Sequence, residues 1–216
     1  MGVVTFAVLA HPLLESQGHR QKGAEVVVAA KPSDMALEAL WTWEDLWSIP
    51  DDGNLYEIID GELYVMAPPI PVHQEISKRV FREFDRVAEL GKLGQVYFAP
   101  IGVKLSERDI VEPDIIFIAR DRLSIILEKM VDGAPDIVLE ILSPSTRLKD
   151  LNLKAALYAH SGVREYWQID PRHRSVVVLF LADGAYVPTS AEGGFARSKV
   201  LPGVSISIEG LFTDLT

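Results

Sequence analysis

Apolar positions along the chain alternate between spacings of two and of three to four, and the switches mark out its elements. Leu55 to Ile59 and Glu62 to Met66 read as two strands, and Asp60-Gly61 between them is a strong hairpin signal. After the Pro68 to Pro71 break, His73 to Leu90 carries Ile76, Val80, Phe84 and Val87 at helical spacing. Lys78, Arg82, Glu83 and Asp85 lie between them, so this is an amphipathic helix. Strands are expected over Val96 to Leu105, Asp114 to Ile118 and Asp136 to Leu142, the last two almost wholly apolar as for strands covered on both faces. A helix from Leu148 to His160 ends at Ser161-Gly162, and strands Glu165 to Ile169 and Ser175 to Leu181 flank the turn Asp170-Pro-Arg-His. From Tyr186 on, only short strands and a terminal turn are expected. Hairpin, helix, three strands, helix and two strands make an α/β sheet flanked by helices.

Upstream, Thr42 with Glu44 and Asp45 opens a short helix to about Ser48, and Pro50-Asp-Asp-Gly53 breaks it. Residues 1–34 read differently: Val3 to Leu14 is apolar but no Lys or Arg precedes it, which is not a secretory signal. They are expected to form a poorly ordered extension, with Met35 as a plausible alternative start and residues 35–216 as the domain.

Composition narrows the chemistry. A chain of 216 residues supports one domain with a substantial core. No window approaches the roughly 18–20 apolar residues of a membrane helix, so no membrane partner is expected. The absence of cysteine excludes disulfides, thiolate zinc sites and cysteine nucleophiles, and suits a cytoplasmic location. A net charge of −10 argues against coating nucleic acid by bulk electrostatics, so a nuclease needs a local basic surface or a bound cation. No phosphate-binding Gly-rich loop, Gly-x-Ser-x-Gly elbow or His-Glu-x-x-His is present.

Carboxylates inside apolar strands are the informative residues, because burying one requires a partner or a metal. Asp114 opens Asp-Ile-Ile-Phe-Ile on the face of Ile116 and Ile118, and Glu140 lies mid-strand on the face of Val138 and Leu142. If the two strands are neighbours, both acids converge at one strand end, and a divalent cation is one way to keep both ionised. Mg²⁺ (or Mn²⁺) suits such oxygen ligands.

Pro113-Asp114, Glu140 with Ser143-Pro-Ser-Thr146, Lys154, Gly162-Val-Arg-Glu-Tyr-Trp167 and Asp170-Pro171, preceded by Tyr56-Glu-Ile-Ile-Asp-Gly-Glu-Leu63, Met66 and His73, resemble the Uma-two family of bacterial restriction-endonuclease-like proteins. The resemblance spans about Thr42 to Phe212. It implies a PD-(D/E)XK fold, with an N-terminal β-hairpin here, and a metal-dependent endonuclease acting on DNA. The lysine of the wider nuclease pattern, two residues after the acid, is replaced by Leu142. Lys154, at inward spacing with Leu151 and Tyr158, takes its place. The implied reaction is attack by metal-activated water on a phosphodiester, with Asp114, Glu140 and Lys154 catalytic and Asp114, Glu140 and the Ile141 carbonyl as ligands.

Plainer readings stand beside these. Asp114 also reads as a turn residue after Pro113, and Glu140 with Lys154 as a structural ion pair. Glu57, His73 and Glu75 are accessory candidates. Glu57 alternates toward a cleft, although hairpin carboxylates are ordinarily solvated. His73 lies near a helix start, and Glu75 also simply favours the helix dipole. Trp41, Trp43 and Trp47 are expected to cover the sheet or an interface, and Arg147 and Lys149 flank the site. The alternative to an endonuclease is a non-catalytic binding or assembly module on the same fold; a hydrolase of small phosphate esters is a third reading. An exposed strand within Glu165 to Leu181 would allow pairing across a homodimer.

Overall fold

A computed structural model of the chain describes residues 40–46, 48–49, 52–66, 68–143 and 149–215. The expectations for residues 1–34, Met35, Trp47 and Arg147, and for the Lys149 side chain, lie outside the described residues.

The chain opens with α1 (Trp43–Leu46), where Asp45 Oδ2 accepts the Thr42 backbone N–H and hydroxyl, both at 2.9 Å, in a capping arrangement. The hairpin β1 (Leu55–Ile59) and β2 (Glu62–Met66) follows in the expected register, turning at Asp60 (φ 52°) and Gly61 (φ 76°). α2 (Pro71–Gly91) begins at a proline, which loses nothing at that position, and ends where Lys92 turns left-handed.

The expected strand Val96 to Leu105 is in fact two, β3 (Gly94–Phe98) and β4 (Val103–Ser106), separated at Ala99-Pro100. Proline has no N–H to donate, and the strands on its two sides enter different sheets. β5 (Asp109–Val111), β6 (Ile115–Ala119), a 3-10 segment (Arg120–Ile125), β7 (Val131–Asp132) and β8 (Ile137–Ile141) come next. The helix expected from Leu148 is α-helical only as α3 (Ala155–Ser161); a π-helical segment, Lys149–Lys154, precedes it. β9 (Glu165–Asp170), β10 (Ser175–Ala182), β11 (Ala185–Thr189), β12 (Phe195–Arg197), β13 (Ser205–Ser207) and α4 (Ile208–Leu211) complete the chain.

These strands form a mixed six-stranded sheet, β11-β10-β9-β8-β6-β3, a five-stranded sheet, β2-β1-β5-β4-β7, and the β12-β13 pair. In the larger sheet only β8 and β9 run parallel. Its two faces sort by alternation. Ile115, Phe117, Leu139 and Ile141 pack under Ile76, Val80 and Phe84 of α2, while Ile116, Ile118 and Val138 meet Val103, Val111, Val131 and Tyr158 from the smaller sheet and α3. Gly94 allows a close approach, since a Cβ there would lie 2.1 Å from the Ile118 carbonyl oxygen.

The expected open edge within Glu165 to Leu181 is a correction: β9 and β10 are interior strands, and β11 covers β10. β11 is the edge on that side of the sheet instead, and it carries Pro188, which blunts an edge against pairing. Trp41 is buried against Ile58, Leu63 and Ile110, with Trp43 packed beside it, so these two cover the smaller sheet. No helix among the described residues is long and apolar enough to cross a membrane.

Candidate active site

β6 and β8 are antiparallel neighbours, and Ile115 pairs with Leu139. One further step along that register brings Asp114 across from Glu140, at the end of the strands where β6 begins. Asp114 is held there from two sides. Its Oδ2 accepts the Ile141 N–H at 2.7 Å, and His73 Nε2, from the first turn of α2, lies 3.1 Å from Oδ1 and 3.2 Å from Oδ2.

Glu140 lies on the Val138 face of β8, toward the space between the two sheets. Its Oε1 accepts from Lys154 Nζ at 2.8 Å and from the Tyr158 hydroxyl at 2.7 Å. Lys154 and Tyr158 sit one helical turn apart, so both reach the same oxygen. Burial, then the nearby carboxylates of Glu140 and Glu57, hold the Tyr158 hydroxyl well above the usual phenol range, so it stays a donor. Lys154 also lies 2.8 Å from Glu57 Oε1, and both are 0% exposed. Glu57 is therefore not the solvated hairpin residue that its position suggests. The smaller sheet folds β1 over the larger one, and the face of Glu57 turns inward.

One acid escaped the sequence reading. Glu112 lies two residues before Asp114, and across Pro113 an extended chain returns both side chains to one face. Its N–H donates to Glu57 Oε1 at 3.0 Å, and its Oε2 is buried without a partner. Burial, with the charge of Glu57 adding and that of Lys154 opposing, pushes its carboxyl up to about 7. The signal was available in Val-Glu-Pro-Asp, but a residue before proline reads as a strand end or turn.

Glu75, by contrast, stays away from the cluster. It pairs with Lys78 and, at 3.1 Å, with Arg79 on the surface of α2. Arg79 in turn donates to the carbonyls of Gly210, Leu211 and Thr213, fastening the C-terminal segment.

Asp114, Glu140, Ile141, Glu112, His73 and Ser143 line one pocket of about 100 Å³ with Leu55, Met66, Pro69, Gln74, Ser77, Phe98 and Ala99. The donor set fits a hard divalent cation: carboxylate oxygens predominate, and the buried Oε2 of Glu112 and Nδ1 of His73 lack partners. Among the described residues no three acidic or histidine side chains form a ready-made cage. That arrangement suits Mg²⁺, which is commonly held by one or two carboxylates with water and phosphate supplying the rest. Other buried acids are spent on structure. Glu165 is closed to solvent and accepts from Trp167 Nε1, the Ser198 hydroxyl and the N–H groups of Lys199 and Val200.

A mixed sheet carrying acids at the end of adjacent antiparallel strands, with a buried lysine behind them, is the architecture of restriction-endonuclease-like nucleases. Residues 43–209 match the model of the Uma2 family, described as "Putative restriction endonuclease", and the chain belongs to that family. Among solved structures it is similar to "a putative nuclease belonging to DUF820 from Anabaena variabilis ATCC 29413". The identity is 18%, the TM-score is 0.68, and the match covers 81% of this chain and 99% of that one. At that identity the likeness speaks for the fold alone, and it bears out the restriction-endonuclease-like α/β reading. None of the curated proteins matches.

Proposed function

We propose that the chain is a metal-dependent endonuclease that hydrolyses DNA phosphodiesters in the bacterial cytoplasm. The observation that carries this reading is the meeting of Asp114 and Glu140 on neighbouring strands at one pocket, with Lys154 held on Glu140. Family membership supports nuclease chemistry, and divalent metals are general among restriction-endonuclease-like enzymes.

Asp114 and Glu140 would hold Mg²⁺ or Mn²⁺, together with the Ile141 carbonyl. When bound, the cation supplies Lewis acidity toward a phosphoryl oxygen and lowers the pKa of water. The remaining work falls to the chain. The Ile141 N–H and His73 fix the orientation of Asp114, and Lys154 with Tyr158 fixes that of Glu140. The Lys154 ammonium adds a positive charge close to the acids, which favours the charge developing on a phosphate. Glu112 adds a further carboxyl group to the pocket wall.

A second reading keeps the fold without catalysis, and one observation favours it: Lys154 is engaged by two carboxylates, an arrangement that also suffices as a buried structural ion network. Incubation of labelled single- and double-stranded DNA with Mg²⁺, Mn²⁺ or EDTA separates the two. Metal-dependent cutting that is lost in Asp114→Ala and Lys154→Ala supports the nuclease. Absence of cutting together with absence of calorimetric Mn²⁺ binding supports the binding module.

A further inference from the structure

Among its described lining residues, the acidic pocket presents an exposed aromatic ring. Phe98 lines the pocket and is 57% exposed, and Ile70, beside the pocket residue Pro69, is 60% exposed. No lysine or arginine is among the described residues lining it. Phe98 is also close to the acids in register: it pairs with Ile115, and the next residue, Ala99, donates its N–H to the Asp114 carbonyl at 3.0 Å. The ring is not loose. It packs edge-on against Phe81 of α2 at 4.9 Å between centroids. Phe81 belongs to the row His73, Ser77, Phe81, spaced four residues apart, which runs along α2 from Asp114 to Phe98.

An anchored, exposed aromatic beside a phosphodiester site has a definite use. Bases in a duplex are stacked inside the helix, out of reach of a side chain at the backbone, whereas an unpaired base offers its face. Stacking is also tolerant of a protein with net charge −10, since it does not depend on neutralising phosphates. We propose that Phe98 is a stacking platform for an unpaired base next to the scissile phosphate, so that the substrate is single-stranded DNA or the unpaired part of a DNA junction or end. This inference rests on the nuclease reading for the word "scissile", but base binding itself is separable from cutting.

The test is fluorescence anisotropy with a fluorescein-labelled single-stranded oligonucleotide and a duplex of the same sequence, with Ca²⁺ as the cation. Wild type, Phe98→Ala and Phe98→Trp are compared. The expected result is single-strand binding at least about tenfold tighter than duplex binding, a loss of about tenfold in Phe98→Ala, and retention in Phe98→Trp, with unchanged thermal melts. Equal or tighter duplex binding, no single-strand binding, or an unaffected Phe98→Ala would overturn it. Cleavage in Mg²⁺ by the same preparations distinguishes the two claims. A wild type that binds as expected and cuts nothing keeps the stacking platform and removes the catalyst. A wild type that cuts duplex, with Phe98→Ala equally fast, does the reverse.

Discussion

Lys154 and Glu140 lie fourteen positions apart in the chain and meet at 2.8 Å, Nζ to Oε1, in the closed space between the two sheets. Glu57 makes the same 2.8 Å approach from the hairpin, so one ammonium serves two carboxylates. Removing it leaves both acids buried without their counter-charge. Lys154→Met is expected to cost about 3–5 kcal/mol in urea unfolding at pH 7, and Lys154→Met with Glu57→Gln should recover part of it. A single variant as stable as wild type would contradict the ion network.

Tyr158 completes the support of Glu140 with a hydroxyl donated at 2.7 Å from a fully buried ring. Tyr158→Phe keeps the ring and its edge-on contact with Tyr166 and removes only the donor. A loss of about 1–2 kcal/mol, read from the denaturation midpoint, is the expected outcome.

Glu112 gives the protein a pH dependence of definite sign. Its folded carboxyl titrates at about 7, above the ordinary 4.5, so between those values the folded state keeps a proton that the unfolded chain has released. Stability from this group is full below pH 4.5 and is lost as pH rises through 7. Because the group is partly open to water, the loss is about 2 kcal/mol rather than the full shift. In EDTA, Glu112→Gln should flatten that decline between pH 5 and 8. An equally steep profile in the variant would show that Glu112 is not its source.

Glu165 separates structural from functional acids. It is buried like Glu57, yet backbone, indole and hydroxyl donors use its oxygens. Glu165→Ala strands these donors and is expected to cost about 3 kcal/mol or more. Cutting per folded molecule should be unchanged, measured on protein normalised by its folded fraction.

The residues differ in how far the sequence exposed them. Glu140 was legible because a carboxylate in an otherwise apolar strand has few explanations; Asp114 read equally as a turn residue after Pro113, and only the β6–β8 register brings it across from Glu140. Lys154 was legible only in combination with Glu140. Glu57 was half legible: alternation turned it toward a cleft, but its burial depends on the smaller sheet folding over the larger, a long-range event with no local signature. Glu112 was missed because the adjacent proline made it look like a strand end. Glu75 has the expected position on α2, but Lys78 and Arg79 on its own helix hold it elsewhere. The break at Ala99-Pro100 was hidden by apolar residues that continue on both sides of it.

The most direct test of the account is single-turnover cutting of labelled DNA in saturating Mg²⁺ by wild type and Asp114→Asn, which keeps the shape of the side chain and removes its charge. The prediction is EDTA-sensitive cutting by the wild type and a drop of about a hundredfold or more in the variant, with matching thermal melts. Equal rates for the two proteins, or wild-type cutting that persists in EDTA, would contradict a metal-dependent site built on Asp114 and Glu140.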